Sequence, residues 1–378
     1  MRRMGIFVFF DHEGIVDEYV DKLLLSMSEI LTKLYIVVNG NIKENSKKVL
    51  EQYSDNIFIR RNRGFDGGAY KYIILNQLPE FVWKLYDEVV LFNHTFYGPF
   101  FSMKNIFKIF TLNQKIDFWG LSKWIGGESL LLSEKNLPAH IQAYFIVVKK
   151  SILRSGFWLK FWEEMSEPKN YLDAIKNFEV GFTVYFSERG FRYTTWLEEQ
   201  GGDELLEMGE VVYNIYPCEM ILNFRFPILK HKAVNFYNCS KIIKIASFVE
   251  KEYNYDFGMI QKHLKRIQKN KIISPFSMDE LEQFYFSHDK IYIFGHGKYG
   301  KELESYFLFR KWNICGFVVS DIQGDKDLLP LNEVKLTYRD GIIIALGEKK
   351  SQQIKRLLEK KFTREQMLFP IYNYFTDK

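Results

Sequence analysis

Cysteine is scarce in this chain, and the long apolar runs of membrane proteins are missing. Only three cysteines stand among 378 residues, and their odd number and wide spacing predict neither a disulfide framework nor a zinc site. No apolar run reaches the roughly 18 residues that a transmembrane helix needs, and the apolar stretch at residues 6–10 is too short for a signal peptide. We therefore expect a protein of the reducing cytoplasm, with peripheral contact to a membrane surface left open.

A large charge surplus is absent as well. The 52 Lys and Arg residues exceed the 47 Asp and Glu residues by only five charges, which is too few to indicate nucleic acid as a partner. The hydrophobic share of 47% and the charged share of 26% are typical of globular proteins and exclude a disordered chain. The length predicts at least two domains.

Strands and helices alternate over the first hundred residues. Buried strands are predicted at 5–10, 34–38, 56–60 and 86–92. An amphipathic helix is predicted at 16–32, with an apolar face formed by Tyr19, Val20, Leu23, Leu24 and Met27. This alternation predicts a mostly parallel sheet with helices on both faces, whose ligands bind outside the carboxyl ends of the strands. The candidate binding residues at those ends are Asp11, Asn39, Arg61, Asn62, Arg63, Gly64, Asp66, Gly68, Asn93 and His94.

These loops contain no phosphate-binding glycine motif, and their polar residues suit a nucleotide-sugar site. Sugar transfer needs a cradle for the nucleotide, positive charge or a metal for the diphosphate, and a carboxylate that deprotonates the acceptor hydroxyl. Arg61 and Arg63 are candidates for the diphosphate, and Glu179 for the base. A solvated carboxylate at a helix N-terminus is the ordinary alternative for Glu179. His140, Gln142 and Trp119 are candidates for the acceptor side.

A run of cations without a carboxylate lies at 261–272. A solvated helix face is the first interpretation of this run. A patch for anionic lipid or for a phosphate-bearing acceptor is the alternative.

The alternation restarts near residue 290. Gly295-x-Gly297-x-x-Gly300 follows a predicted strand and opens a predicted helix, and Asp321 stands about 20 residues further on. This spacing predicts a second nucleotide site, where phosphate approaches backbone N–H groups at the helix N-terminus. A tight structural turn is the alternative.

Seven segments taken together resemble the rhamnan synthesis protein F family. They are residues 9–20, 62–71, 91–100, 117–124, 140–153, 178–191 and 226–234. The resemblance implies a GT-A-like glycosyltransferase that builds rhamnose-containing cell-surface polysaccharide from dTDP-L-rhamnose on the cytoplasmic side of the membrane. The implied acceptor is a glycan on a polyprenyl diphosphate. The implied reaction inverts the anomeric centre in a single displacement assisted by a base.

The resemblance also assigns roles to individual residues. Asp11 matches the family's first-strand acid, residues 62–70 match its N-x-G-x-D-x-G-A-Y loop, and Glu179 matches the acid of its E-V-G-x-T segment. One departure concerns the strand end at 93–95, which reads Asn-His-Thr where the family has Asn-Asp-Ser. The missing acid falls where many GT-A enzymes hold a metal, so a requirement for Mg²⁺ or Mn²⁺ stays open.

The expected organisation is a GT-A-like domain at 1–235, a helical linker at 236–288 and a Rossmann-like domain at 289–378. The last domain resembles the front domain of bacterial sugar acyltransferases, which implies nucleotide binding or a role in assembly. Two alternatives to a rhamnosyltransferase remain at this point. One is a catalytically silent nucleotide-sugar-binding module of a glycan assembly complex, and the other is an NAD(P)-dependent oxidoreductase built on the 295–300 turn. A homo-oligomer also stays open.

Overall fold

The chain forms two compact units in a computed structural model. The first unit comprises Met1–His231 and Ile245–Ile267, and the second comprises Lys232–Lys244 and Gln268–Lys378. The structure describes residues 1–129, 134–207, 216–234, 239–267, 278–297, 300–301, 303–304, 307, 312–320, 328–346 and 348–369.

The first unit is built on a seven-stranded sheet with three short strand pairs beside it. Its strands are β1 (Arg3–Phe9), β2 (Lys33–Asn39), β3 (Ile57–Arg60), β4 (Glu88–Asn93), β5 (Phe96–Tyr97), β6 (Phe118–Gly120), β7 (Lys123–Trp124), β8 (Gly127–Ser129), β9 (Glu134–Leu137), β10 (His140–Ile141), β11 (Phe145–Lys149), β12 (Tyr193–Thr195) and β13 (Leu229–Lys230). The order across the large sheet is β3-β2-β1-β4-β11-β6-β12, and β11 alone runs antiparallel to its neighbours. The mostly parallel sheet expected for the first domain is confirmed.

Helices connect these strands and cover the sheet. They are α1 (Glu18–Ser28), α2 (Glu44–Glu51), α3 (Phe65–Tyr72), α4 (Met103–Leu112), α5 (Lys150–Leu153), α6 (Phe157–Glu164), α7 (Tyr171–Asp173), α8 (Gly181–Ser187), α9 (Trp196–Glu199), α10 (Asp203–Leu206) and α11 (Pro217–Phe224). Three helices follow: α12 (His231–Val234), α13 (Cys239–Tyr253) and α14 (Gly258–Ile267). Residues 232–244 of α12 and α13 belong to the second unit, and α14 belongs to the first. The described residues also include two π-helical segments, Ile73–Gln77 and Ala174–Val180, and a 3₁₀ segment, Glu80–Leu85. Among the described residues, no helix is both long and apolar enough to cross a membrane.

The central strands are buried along nearly their whole length and mostly apolar, because both of their faces are covered. All six residues of β4 are buried, as are the last six of β1. Helix α1 buries the apolar face that its spacing predicts, and that face consists of Tyr19, Val20, Leu23, Leu24 and Met27. The alternation of apolar strands with amphipathic helices thus produces the layers that it predicts.

The segment expected to be a linker differs from the prediction. Residues 245–267 belong to the first unit, and five large apolar side chains bury there: Ile245, Val249, Tyr255, Phe257 and Ile260. The described residues here form helices, as the prediction of a helical linker requires, but removing these side chains from water stabilises helices packed into the first unit over an exposed linker. The first unit therefore extends beyond the predicted boundary at 235.

The second unit contains a five-stranded parallel sheet in the order β16-β15-β14-β17-β18. Its strands are β14 (Lys290–Phe294), β15 (Gly316–Val319), β16 (Leu328–Pro330), β17 (Asp340–Ile344) and β18 (Met367–Leu368), and its described helices include α15 (Met278–Ser287) and α16 (Glu348–Glu359). This arrangement confirms the small Rossmann-like domain.

Candidate functional site

A glycine-rich loop positions Asp66 at the carboxyl edge of the large sheet. Gly64 has a φ of +71°, a left-handed conformation that favours glycine, and directly precedes helix α3. A Cβ on Gly67 would lie 2.9 Å from the Cβ of Phe178. The absence of side chains therefore lets α3 pack closely against the π-helical segment that carries Phe178 and Glu179, so that both acids stand at the same edge.

Asn93 joins Asp66 to the end of strand β4. The Asn93 side-chain amide donates a 2.6 Å hydrogen bond to Asp66 Oδ2. The Asn93 carboxamide oxygen accepts two hydrogen bonds from Thr95, one from its backbone N–H at 3.0 Å and one from its hydroxyl at 2.8 Å. The Asn93 side chain is thereby held in one orientation, with its oxygen and its amide each assigned to a partner.

Lys230 reaches the same place from strand β13. Strand β13 pairs with β5, and the register sets Lys230 opposite Phe96. The Lys230 Nζ lies 3.4 Å from the Thr95 hydroxyl oxygen and 3.9 Å from the centre of the Tyr144 ring. We call Asp66, Asn93, Thr95 and Lys230 the strand-end cluster.

The strand-end cluster shifts the titration of its own carboxyl group. Burial raises the pKa of Asp66 to about 6, although the hydrogen bond from Asn93 and the positive charge of Lys230 act to lower it, while the charge of Glu179 raises it further. A carboxyl group that resists ionisation and lies beside a lysine is typical of functional sites.

Glu179 is partly exposed at this edge and has one fixed contact. Its Oε1 accepts a 3.2 Å hydrogen bond from the backbone N–H of Ala143, which follows the predicted acceptor-side residues His140 and Gln142 in the chain. This contact orients a carboxylate that interacts electrostatically with Asp66. The placement suits a base that meets an acceptor hydroxyl beside the cluster.

Two buried polar atoms near the site lack a hydrogen-bond partner among the described residues. They are the Asn39 Oδ1, at the end of β2, and the Tyr70 hydroxyl. Asn39 donates its amide to the Phe65 carbonyl oxygen at 3.3 Å, and its side chain is only 2% exposed. Because buried polar atoms are usually satisfied, these two are candidates for contact with a ligand.

Asp11, the predicted first-strand acid, is engaged by an arginine of helix α14. Arg266 donates from Nη2 to Asp11 Oδ2 at 2.6 Å and from Nη1 to Asp11 Oδ1 at 3.3 Å. The same guanidinium binds Asp17 and, at 3.0 Å, Glu13. Burial acts to raise the pKa of Asp11, but hydrogen bonds and the charge of Arg266 outweigh it, and the pKa lies below its usual range. Asp11 therefore orders the loop after β1 in this arrangement.

The predicted diphosphate cations are exposed, and one of them pairs with a carboxylate outside the strand-end cluster. Arg61 and Asn62 are exposed, and Arg63, whose side chain is 70% exposed, forms an ion pair with Glu167 at 3.3 Å. A Cβ on Gly68 would lie 3.3 Å from the same Glu167 carboxylate. The loop glycines thus make room for Glu167, and the cation beside Asp66 is Lys230.

His94 occupies the position of the family's missing acid and packs among rings. Its ring lies 5.1 Å from Phe9 and 6.3 Å from His231, and its Nδ1 is 3.4 Å from the Val8 carbonyl oxygen. A divalent cation does not fit these residues. The Asn93 oxygen already accepts two hydrogen bonds from Thr95, and the Lys230 ammonium group lies 3.4 Å from the hydroxyl oxygen of that threonine. Among the described residues, no three His, Cys, Asp or Glu side chains form a metal-binding group.

The three predicted acceptor-side residues have different surroundings. Trp119 is fully buried and stacks on Phe110 at 4.0 Å, so it packs in the core. His140 is also buried, with its Nδ1 2.8 Å from the Pro138 carbonyl oxygen. Gln142 is partly exposed and accepts a 3.4 Å hydrogen bond from the Ser122 hydroxyl.

In the glycine turn of the second unit, the backbone geometry of the turn itself explains two of the glycines. Gly295 has a φ of +107°, and a Cβ on Gly300 would lie 1.9 Å from the Gly295 carbonyl oxygen. A Cβ on Gly297 would meet nothing within 4 Å. The tight-turn interpretation thus accounts for Gly295 and Gly300, while Asp321 lies outside the described residues.

Sequence reasoning missed Lys230 and the role of Arg266. Lys230 stands in the segment at 226–234 that carried part of the family resemblance, but nothing in its spacing indicated a contact with Thr95. Arg266 stood in the cationic run at 261–272, whose described members include Lys262, which pairs with Glu18 at 2.8 Å. Both signals depended on a fold that brings distant segments together.

The sheet order and the parallel strands define an α/β protein whose polar residues gather at the carboxyl ends of the strands. The sequence model of the rhamnan synthesis protein F family matches residues 34–314, which is more than half of the chain. The chain belongs to this family. Family and fold together support a nucleotide-sugar glycosyltransferase of rhamnan synthesis.

Solved structures resemble this chain only distantly. A protein of Desulfovibrio desulfuricans G20 described as a nucleotide-diphospho-sugar transferase is 12% identical, with a TM-score of 0.31, covering 67% of this chain and 99% of that one. The mannosyltransferase Ktr4p of S. cerevisiae is 10% identical, with a TM-score of 0.30, covering 49% of this chain and 65% of that one. Among curated protein sequences, none matches.

Proposed function

We propose that this protein is an inverting glycosyltransferase that transfers L-rhamnose from dTDP-L-rhamnose to a cell-surface polysaccharide precursor. The observation that carries the proposal is the meeting of Asp66, Asn93 and Glu179 at the carboxyl edge of the parallel sheet, where such sheets bind their ligands. The acceptor class, a glycan on a polyprenyl diphosphate, and a cytoplasmic site of action follow from family membership as parts of the same proposal.

In the proposed reaction, Glu179 removes the proton of the acceptor hydroxyl. The acceptor oxygen then forms a bond to the anomeric carbon from the face opposite the diphosphate. The bond from that carbon to the diphosphate oxygen breaks, and its electron pair leaves with the nucleoside diphosphate. Asn39 and Asp66 are placed to contact the donor, since the first has a buried oxygen without a partner among the described residues and the second lies in the strand-end cluster.

Replacing Glu179 with Gln tests the assignment of the base. The amide keeps an oxygen for the Ala143 N–H but cannot accept the proton, so kcat should fall by roughly 10²- to 10⁴-fold while donor affinity stays unchanged. Glu188→Gln is the matched control, because Glu188 is an exposed carboxylate at the end of α8. Wild-type turnover in Glu179→Gln would remove Glu179 from this role.

Calorimetric titration tests the donor. dTDP-rhamnose, UDP-glucose, UDP-galactose, NAD and NADPH are titrated into the full chain, and transfer is followed with each sugar nucleotide that binds. Binding and turnover of dTDP-rhamnose are expected. If only another sugar nucleotide is turned over, the proposed donor changes and the proposed reaction stays. If a sugar nucleotide binds but is neither transferred nor hydrolysed, the protein is a catalytically silent module.

A further inference from the structure

The strand-end cluster contains a lysine, Lys230, near the strand end where the sequence lacks the acid that would hold a metal ion. The sequence at 93–95 supplies no carboxylate, since Asn93 is followed by His94 and Thr95. The Asn93 oxygen is occupied by two hydrogen bonds from Thr95. A divalent ion placed here would meet one carboxyl group, that of Asp66, which burial makes reluctant to ionise and which already accepts a hydrogen bond from Asn93. Its other neighbours would be an amide oxygen that is already engaged and an ammonium group, which together form a poor donor set for Mg²⁺ or Mn²⁺.

Lys230 has the position and the chemistry to act instead. Its ammonium group lies 3.4 Å from the Thr95 hydroxyl, and its charge acts on Asp66. The Tyr144 ring beneath it, at 3.9 Å from Nζ to the ring centre, supports the cation from one side. Pairing between β13 and β5 fixes the backbone that carries it. A lysine held in this way is preorganised, so that little rearrangement is needed when charge develops beside it.

We propose that Lys230 is a catalytic residue that binds the diphosphate of the sugar donor and neutralises the leaving group, so that transfer proceeds without a divalent metal. This inference rests on the proposed function, since it presumes a nucleotide-sugar donor in this site. As the bond between the anomeric carbon and the diphosphate oxygen breaks, the electron pair passes to that oxygen, and the ammonium group stabilises the added negative charge. Lys230 stays protonated throughout, and the acceptor proton goes to Glu179.

The test compares Lys230→Met with Lys33→Met. Lys33 is a matched control because it is also partly buried and its Nζ also lies near a tyrosine ring, 5.8 Å from the centre of Tyr35. It differs in position, since it stands at the start of β2, whereas Asn39 stands at the other end of that strand. Binding of dTDP, the product nucleotide, is measured by calorimetry in EDTA and then in Mg²⁺ or Mn²⁺. Turnover is measured under the same conditions, and thermal unfolding reports whether each variant is folded.

The wild-type protein should bind dTDP equally well in EDTA and in metal, and it should turn over in EDTA. Lys230→Met should lose at least tenfold in dTDP affinity and roughly 10²-fold or more in kcat, with no rescue by metal, while Lys33→Met matches the wild type. Lys230→Arg keeps the charge and should retain part of the affinity, which separates loss of charge from loss of folding.

Three results would overturn the inference: dTDP binding that needs metal, unchanged affinity in a folded Lys230→Met variant, or an equal loss in Lys33→Met. The first of these leaves the proposed transferase intact. A wild-type protein that binds no nucleotide under any condition would instead contradict the proposed function itself, and with it this inference.

Discussion

Asp66 belongs to the candidate site, and its ionisation also affects the stability of the fold. Its carboxyl group is surrounded closely enough that burial raises its pKa to about 6, yet it accepts a 2.6 Å hydrogen bond from Asn93. A group whose folded pKa is raised binds its proton more tightly in the folded state. Folding is therefore favoured while Asp66 is protonated, and this contribution is lost as the pH rises from about 4 to above 6.

Replacing Asp66 with Asn should change the pH dependence of stability. The amide keeps an oxygen for the Asn93 side chain and carries no charge to bury. The melting temperature of Asp66→Asn, relative to wild type, should therefore rise between pH 4 and pH 7. Asp55→Asn, at an exposed carboxylate, is the control and should show no such trend. If the melting temperatures of wild type and Asp66→Asn changed equally with pH across this range, the raised pKa of Asp66 would be contradicted.

Helix α14 is the element whose role differs most from its sequence pattern. The run of cations predicted a solvated or lipid-facing helix, but Arg266 binds three carboxylates, those of Asp11, Glu13 and Asp17. Its side chain is 13% exposed, and its pKa is raised because hydrogen bonds to Asp17 and Asp11 outweigh the opposing effect of burial. The helix thus fixes the loop after β1 at the carboxyl edge of the sheet.

Arg266→Met should destabilise the first unit by roughly 2 kcal/mol, the scale of hydrogen bonds to charged groups that lose a partner. Urea unfolding provides the measurement. Lys262→Met is the control on the same helix, because Lys262 pairs with Glu18 at the surface, where ion pairs contribute little. An equal loss of unfolding free energy in the two variants would show that the contacts of Arg266 stabilise the unit no more than a surface ion pair does.

Local elements were predictable, and contacts between distant elements were not. The apolar spacing in α1 predicted all five buried residues of its inner face, since a helix repeats every 3.6 residues whatever it packs against. The same reasoning could not show that Trp119 lies in the core, because the three-residue strand β6 has no period of its own. Nor could it place Lys230 beside Thr95, which depends on the pairing of two-residue strands that sets Lys230 opposite Phe96, 134 positions earlier in the chain.

At the scale of the whole molecule, no change in composition marks the boundary between the two units. Residues 232–244 belong to the second unit, but residues 245–267, which follow them, belong to the first unit. The family match, at 34–314, likewise continues past 235. The transferase unit is therefore a discontinuous part of the sequence.

Two truncations test this division. A chain ending at 235 loses five buried apolar side chains between Ile245 and Ile260, a loss of roughly 10 kcal/mol that approaches the whole stability of a typical domain. It should fail to unfold cooperatively, whereas a chain ending at 267 should retain a single sharp transition by circular dichroism. Equal cooperativity in both would show that helices α13 and α14 add no essential packing.

The docking of α14 on the loop after β1 also sets the order of events during protein synthesis. Arg266 and Asp11 are 255 positions apart, and at the usual rate of translation roughly 10–50 s pass between the appearance of one and the other. Throughout that interval the nascent chain carries three neighbouring carboxylates without the arginine that binds them. The first unit is completed only after α14 has left the ribosome, by which time residues 232–244 of the second unit have already been made.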